Sequence, residues 1–310
     1  MAFPEPGVCV LCGIDGASTP EGKLTSEHAF PNWIVEELRP HVMGQGEFYL
    51  DGRLQPQYAG MEVEIEAVCR SCNTDWLSNT FERKVAKWLR PSLLHLEPHV
   101  ILDQHQRALL GAWAVKTALM VELALAELRV PALVPKRHFD WLYDHREPPR
   151  DVEPPPGCTV WMFGVNITSG AIGIVKTLLT WTTAATILVP GETGEVPKGY
   201  FATFSVGHVG FQVLGWDLDE ADLVNPGWPL RPRMPEAVRD GVRQVWPAPR
   251  KPPLRWPFMS DEGGVLLTAR DQTSMELLAR WPWVPNLATR RREFPAQQVW
   301  ERPGRHDDAP

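Results

Sequence analysis

The spacing of hydrophobic and polar residues changes period several times along the chain. From Met61 to Val68, apolar residues alternate with Glu62, Glu64 and Glu66 at period two, which predicts a strand. From Asn73 the pattern turns helical: Trp76, Leu77, Phe81, Val85, Trp88 and Leu89 recur at helix spacing, and Pro91 is expected to stop the run. Upstream, Trp33 to Leu38 reads as a short helical turn ending near Pro40, and the polar, glycine-containing stretch 41–60 as a loop or hairpin. Residues 104–129 give the clearest helix, and its apolar face is broad enough to predict a helix central to a core. A shorter helix is expected near 136–145.

The period changes again after the proline-rich segment 147–157. Thr159–Ile167, Leu178–Val189 and Tyr200–Trp216 are rich in Val, Ile, Thr, Phe and Trp and predict strands of an antiparallel sheet. A short helix is expected near 271–281, and the stretch from Arg302 reads as disordered. The fold class expected is α+β. Residues 1–90 form a small strand–loop–strand–helix domain, and 91–310 a larger α+β domain with a central apolar helix and an antiparallel sheet, its role open between substrate and partner binding.

Composition narrows the class. With 310 residues, 44% hydrophobic and 22% charged, the chain can bury a sizeable core. No apolar run is long enough for a membrane span, and the N-terminus lacks the basic and apolar regions of a signal peptide, so a cytoplasmic location is expected. A net charge of −7 argues against a nonspecific coat on nucleic acid, though not against a nuclease with a local basic patch.

Chemistry concentrates in the first quarter. Cys9 and Cys12 form one Cys-x-x-Cys pair, and Cys69 and Cys72 another. Four thiolates from two short loops suit a tetrahedral structural Zn²⁺, with Gly13 relaxing the backbone after the first pair. In a reducing compartment such pairs read as metal ligands and not as disulfides. The fifth cysteine, Cys158, stands alone and reads as a small buried apolar residue.

Between the pairs lies Ser26-Glu27-His28-Ala29-Phe30-Pro31, and Asn73 follows Cys72 directly. Phosphodiester hydrolysis needs a base for water and compensation of developing charge. His28 has a suitable unperturbed pKa, Glu27 offers a carboxylate and Asn73 an amide oxygen, while few protein ligands and open positions would suit Mg²⁺ or Mn²⁺. Asn73 also reads as the N-cap of the helix that follows.

The order Cys-x-x-Cys, acidic residue plus His, Cys-x-x-Cys-Asn and helix resembles the HNH endonucleases in their four-cysteine, zinc-containing form, over about residues 7–90. That resemblance implies a ββα-metal fold and metal-dependent hydrolysis of DNA, with RNA as a further possibility. It makes His28 the general base and Glu27 and Asn73 the ligands of the catalytic cation, with Pro31 at the family's proline. A role in defence, phage or mobile-element biology rests on the same analogy.

The chain departs from the family at two places. Glu27 stands where the family has Asp, one methylene shorter. No Asn lies about five residues before Cys69; Glu64 and Glu66 are there instead, open between a contribution to the site and a solvated strand face. Arg70, Arg83, Lys84 and Lys87 are candidate phosphate contacts, or a solvated helix face. Two other functions stay open: a non-catalytic zinc-knuckle protein that binds nucleic acid or a partner, and a function residing wholly in 91–310.

Overall fold

The computed structural model describes residues 5–38 except 19 and 21, then 49–50, 53–54, 64–94, 100–126, 134–147, 152–166, 168–169, 174–175, 179–188, 198–206, 209–217, 242–248, 254–256 and 267–268. The helix expected near 271–281 and the tail from Arg302 lie outside these residues.

The first part of the chain runs β1 (Leu24–His28), α1 (Asn32–Leu38), the short hairpin β2 (Tyr49–Leu50) and β3 (Arg53–Leu54), then β4 (Glu64–Cys69). β1 and β4 pair antiparallel, with His28 opposite Glu64, Glu27 opposite Ile65 and Ser26 opposite Glu66. The predicted alternation is seen in β4: Glu64 and Glu66 are exposed, and Ile65 and Ala67 are buried.

β4 leads into a helix of two windings. Ser71–Glu82 is a π-helix, and Arg83–Leu94 continues it as α2. Bonding in a π-helix runs from i to i+5, so residues five apart stack. The buried set follows that rule, with Cys72 and Leu77, Trp76 and Phe81, and Leu77 and Glu82 each five apart. In α2 the buried positions Val85 and Leu89 return to a spacing of four. Pro91 does not stop the run; it sits exposed in the last turn, where the carbonyl it leaves without a partner meets solvent.

Beyond β5 (Val100–Leu102), α3 runs from Gln104 to Ala126. Every residue from Arg107 to Val121 is buried, so α3 is the central helix that its apolar pattern predicts. Trp113 meets Phe204 and Phe211 edge-on, at ring-centroid distances of 6.0 and 5.4 Å. Gly111 allows a close approach elsewhere, since a Cβ there would come within 3.1 Å of the Trp246 Cβ.

The later elements are α4 (Lys136–Asp144), β6 (Thr159–Asn166), β7 (Thr168–Ser169), β8 (Ile174–Val175), β9 (Leu179–Leu188), β10 (Lys198–Val206), β11 (Val209–Trp216), β12 (Val242–Trp246), β13 (Leu254–Trp256) and β14 (Leu267–Thr268). The main sheet has the order β12–β6–β11–β10–β9, antiparallel throughout, with β14 pairing β6 in parallel. β13 pairs β5, and β7 pairs β8. The fold is therefore α+β, with an antiparallel main sheet and a four-cysteine cluster. The buried core runs without a break from the cysteine pairs through α3 to the sheet. Among the described residues no helix is long and apolar enough to cross a membrane.

Candidate functional site

Two backbone bonds shape the first cysteine loop. Cys9 N–H donates to the Ile14 carbonyl and Gly13 N–H to the Cys9 carbonyl, each at 2.9 Å. Gly13 takes φ +72°, the left-handed conformation that closes such a turn cheaply for glycine alone. Val10 N–H to the Ala67 carbonyl, at 2.9 Å, ties this loop to β4, which ends on Cys69. The π-helix then carries Cys72 in its first turn.

The four sulfurs consequently lie within 4.8 Å of one another, with Cys12 and Cys69 at 3.6 Å. A tetrahedral Zn²⁺ with bonds of about 2.3 Å would set sulfurs about 3.8 Å apart. The cluster can thus hold a structural metal ion such as zinc. Its electrostatics fit the same use. A hydrogen bond from Cys72 draws the Cys9 thiol down to about 4; the Cys72 thiol is pushed up, chiefly through that same bond, and burial lifts Cys12 to about 11. Metal binding requires deprotonated thiols, so a divalent cation here would favour the thiolate form of the four sulfurs. None of the five cysteines forms a disulfide.

β1 presents its two candidate residues on opposite sides. His28 lies on the outer face with Ser26, and its Nδ1 faces Glu64 Oε1 across the strand pair at 3.5 Å, longer than a well-formed hydrogen bond. The His28 side chain is 26% exposed while Nδ1 itself is buried, so the exposure lies on the rest of the ring. Glu64 is exposed, as is Glu66 opposite Ser26.

Glu27 points inward. It is buried, and its Oε1 accepts from Lys116 Nζ at 2.5 Å. Lys116 also donates to Glu82 Oε1 at 2.9 Å and to the His28 carbonyl at 3.3 Å. Burial alone would lower the Lys116 pKa, but Glu27 and Glu82 outweigh it and the ammonium is held more firmly than usual. Glu82 is raised, first by burial and then by Glu27, against the pull of Lys116.

Asn73 is the third residue of the π-helix and does not cap it; the cap position is Arg70, whose side chain makes no capping bond. The Asn73 amide group instead donates to Thr25 Oγ1 and to the Ser26 carbonyl, each at 3.0 Å, and its Oδ1 accepts from Ser78 at 3.4 Å. Asn73 therefore ties the helix start to β1.

Compared with protein-family models, curated proteins and solved structures, the chain matches none of them.

The structure brings His28, Glu64 and Asn73 to the same strand pair and directs Glu27 away from it. Arg70, Arg83, Lys84 and Lys87 are all exposed. Arg90 lies over the Trp33 ring at 5.6 Å and pairs with Glu37. Pro31 accepts from Ile34 and Val35 and starts α1. Cys158 is buried as expected, 3.7 Å from both His138 and Tyr200, and burial lifts its thiol to about 12.

Lys116 and Glu82 escape a reading by motif. Their signal is positional. Lys116 is the sole charged residue between Ala108 and Val121, and Glu82 lies five residues after buried Leu77.

A Mg²⁺ or Mn²⁺ ion at Glu27 and Asn73 does not fit these residues. The obstacle is Glu27, whose carboxylate is held by a buried ammonium; Asn73 donates to β1 through its amide nitrogen, and the atom it would offer a cation is Oδ1, which accepts from Ser78. Among the described residues the four cysteines are the one group of three or more His, Cys, Asp or Glu close enough to hold a metal ion.

Proposed function

We propose that the N-terminal part of this chain is an HNH-type endonuclease that hydrolyses phosphodiester bonds of DNA, with RNA as the related substrate, and that His28 is its general base. The observation that carries this is the His28–Glu64 pair across the β1–β4 ladder. A carboxylate facing Nδ1 favours the tautomer protonated there and leaves Nε2 to take a proton from water. Such contacts tighten when substrate binds, so a separation of 3.5 Å is compatible with the role. An antiparallel strand pair leading straight into a helix, with four cysteines at its base and Asn73 in the first turn, supports the ββα-metal arrangement.

Arg70, Arg83, Lys84 and Lys87 stand exposed and supply positive charge for a phosphate backbone. No step is assigned to Mg²⁺ or Mn²⁺, because Glu27 is committed to Lys116. Zinc at the cysteine cluster serves the fold: it holds the start of the chain to the end of β4. The test is cleavage of plasmid DNA by the purified zinc-loaded chain, with and without Mg²⁺, beside His28→Ala. The general-base role predicts a rate loss of roughly 100-fold or more in the variant; equal rates would remove it.

The engagement of Glu27 by Lys116 favours a second function, a non-catalytic zinc-knuckle protein that binds nucleic acid or a protein partner. That alternative predicts binding unchanged by His28→Ala and no cleavage under any condition.

A further inference from the structure

Three charged groups meet in the interior between β1, the π-helix and α3. Lys116 is 0% exposed, and Glu27 and Glu82 are each 4% exposed. An ammonium has three N–H donors. Here they go to Glu27 Oε1, Glu82 Oε1 and the His28 carbonyl, at 2.5, 2.9 and 3.3 Å. Two carboxylates and a carbonyl converging on one point is the oxygen set that a hard divalent cation takes. In this chain that point is filled by a nitrogen covalently tethered to α3. A second cation there would face the ammonium in a buried setting, where like charges repel strongly.

We propose that Lys116 is a resident cation: it occupies, as part of the fold, the place between Glu27 and Glu82 that a divalent ion would otherwise take, so the native chain binds no Mg²⁺ or Mn²⁺ through Glu27. Glu27 and Glu82 then serve to seat Lys116, and through it to anchor α3 against β1 and the π-helix. This stands apart from the chemistry of His28, because the test reads ion binding and not cleavage.

The experiment is titration of the full-length, zinc-loaded chain with Mn²⁺, reading free Mn²⁺ by electron paramagnetic resonance. Four forms are compared: wild type, Glu27→Gln, Lys116→Met, and Lys116→Met with Glu27→Gln. Wild type and Glu27→Gln should give the same isotherm. Lys116→Met should gain one site at least tenfold tighter than anything in wild type, and the double variant should lose it. Circular dichroism checks the fold of each form. A wild-type Mn²⁺ site that weakens tenfold or more in Glu27→Gln overturns the proposal, as does a folded Lys116→Met that gains no site. If Lys116→Met fails to fold, wild type against Glu27→Gln decides the question alone.

Discussion

Glu27 and His28 are neighbours in sequence and lie on opposite faces of β1. Glu27 meets Lys116 in the core, while His28 faces Glu64 on the outer side. A strand alternates its side chains, so two adjacent residues share one site only where the strand ends or twists. The motif order joins them as an acidic residue and a base; the fold places the first in a buried ion-pair cluster and the second on the outer face.

Lys116→Met should destabilise the chain by about 3–5 kcal/mol near neutral pH, because it leaves two buried carboxylates without a partner. The loss should shrink as pH falls and the carboxylates take up protons. Replacing all three groups together (Lys116→Met, Glu27→Leu, Glu82→Leu) should recover much of it. Urea unfolding at pH 7 and pH 5 measures both effects.

Glu122 is a partly buried carboxylate on α3, lifted by desolvation from 4.5 to about 7, and its Oε1 finds no hydrogen-bond partner among the described residues. Its folded pKa is raised, so between about 4.5 and about 7 the folded state binds more protons than the unfolded one. Stability therefore falls as pH rises through that window, by about 3 kcal/mol in all, and is level above it. Glu122→Gln should remove that slope and stabilise the protein at pH 8. Glu82 contributes a slope of the same sign, since burial raises it too. The difference between the wild-type and Glu122→Gln unfolding curves isolates Glu122.

The cysteine cluster should bind one zinc per chain, measured by elemental analysis. Structural zinc contributes on the order of 10 kcal/mol to small domains of this kind. Cys72→Ser or strong chelation should therefore unfold the region around the knuckle. Trp76 is buried in the π-helix one turn from Cys72, so its fluorescence should shift to the red on metal loss. Unchanged Trp76 emission in a metal-free protein would mean that packing alone holds the cluster.

Asn73→Asp distinguishes a strand tie from a cation ligand. As a tie, Asn73 donates to the Ser26 carbonyl, and Asp would set a carboxylate against that oxygen at a cost of about 1–3 kcal/mol. As a ligand, Asp would bind Mg²⁺ at least as well as Asn. The predicted outcome is a lower melting temperature with no gain in Mg²⁺ affinity.

Much of the fold is legible where one period governs one element. Alternation over Met61–Val68 points to the strand, seen from Glu64 to Ala67 before Val68 and Cys69 are both buried, and the unbroken apolar run of α3 shows the central helix. The cysteine pairs show the cluster, because two i,i+3 spacings carry a geometry with them. Other features leave no local pattern of their own. The π winding of Ser71–Glu82 depends on a five-residue stacking that looks like ordinary helix spacing at Trp76 and Leu77. The run past Pro91 depends on exposure of the last turn. The partner of Glu27 lies 89 residues away, and no local pattern encodes that pairing; the trace it leaves is one lysine in an apolar helix, explicable only once carboxylates are found beside it.

The catalytic role of His28 is tested most directly by the single-turnover rate of cleavage of supercoiled plasmid by zinc-loaded wild type, His28→Ala and Glu64→Gln. A general base at His28 predicts nicking by wild type, a loss of roughly 100-fold or more in His28→Ala, and a smaller loss in Glu64→Gln with a changed pH profile. Plasmid that stays intact with wild type, or is cut equally by wild type and His28→Ala, would contradict it.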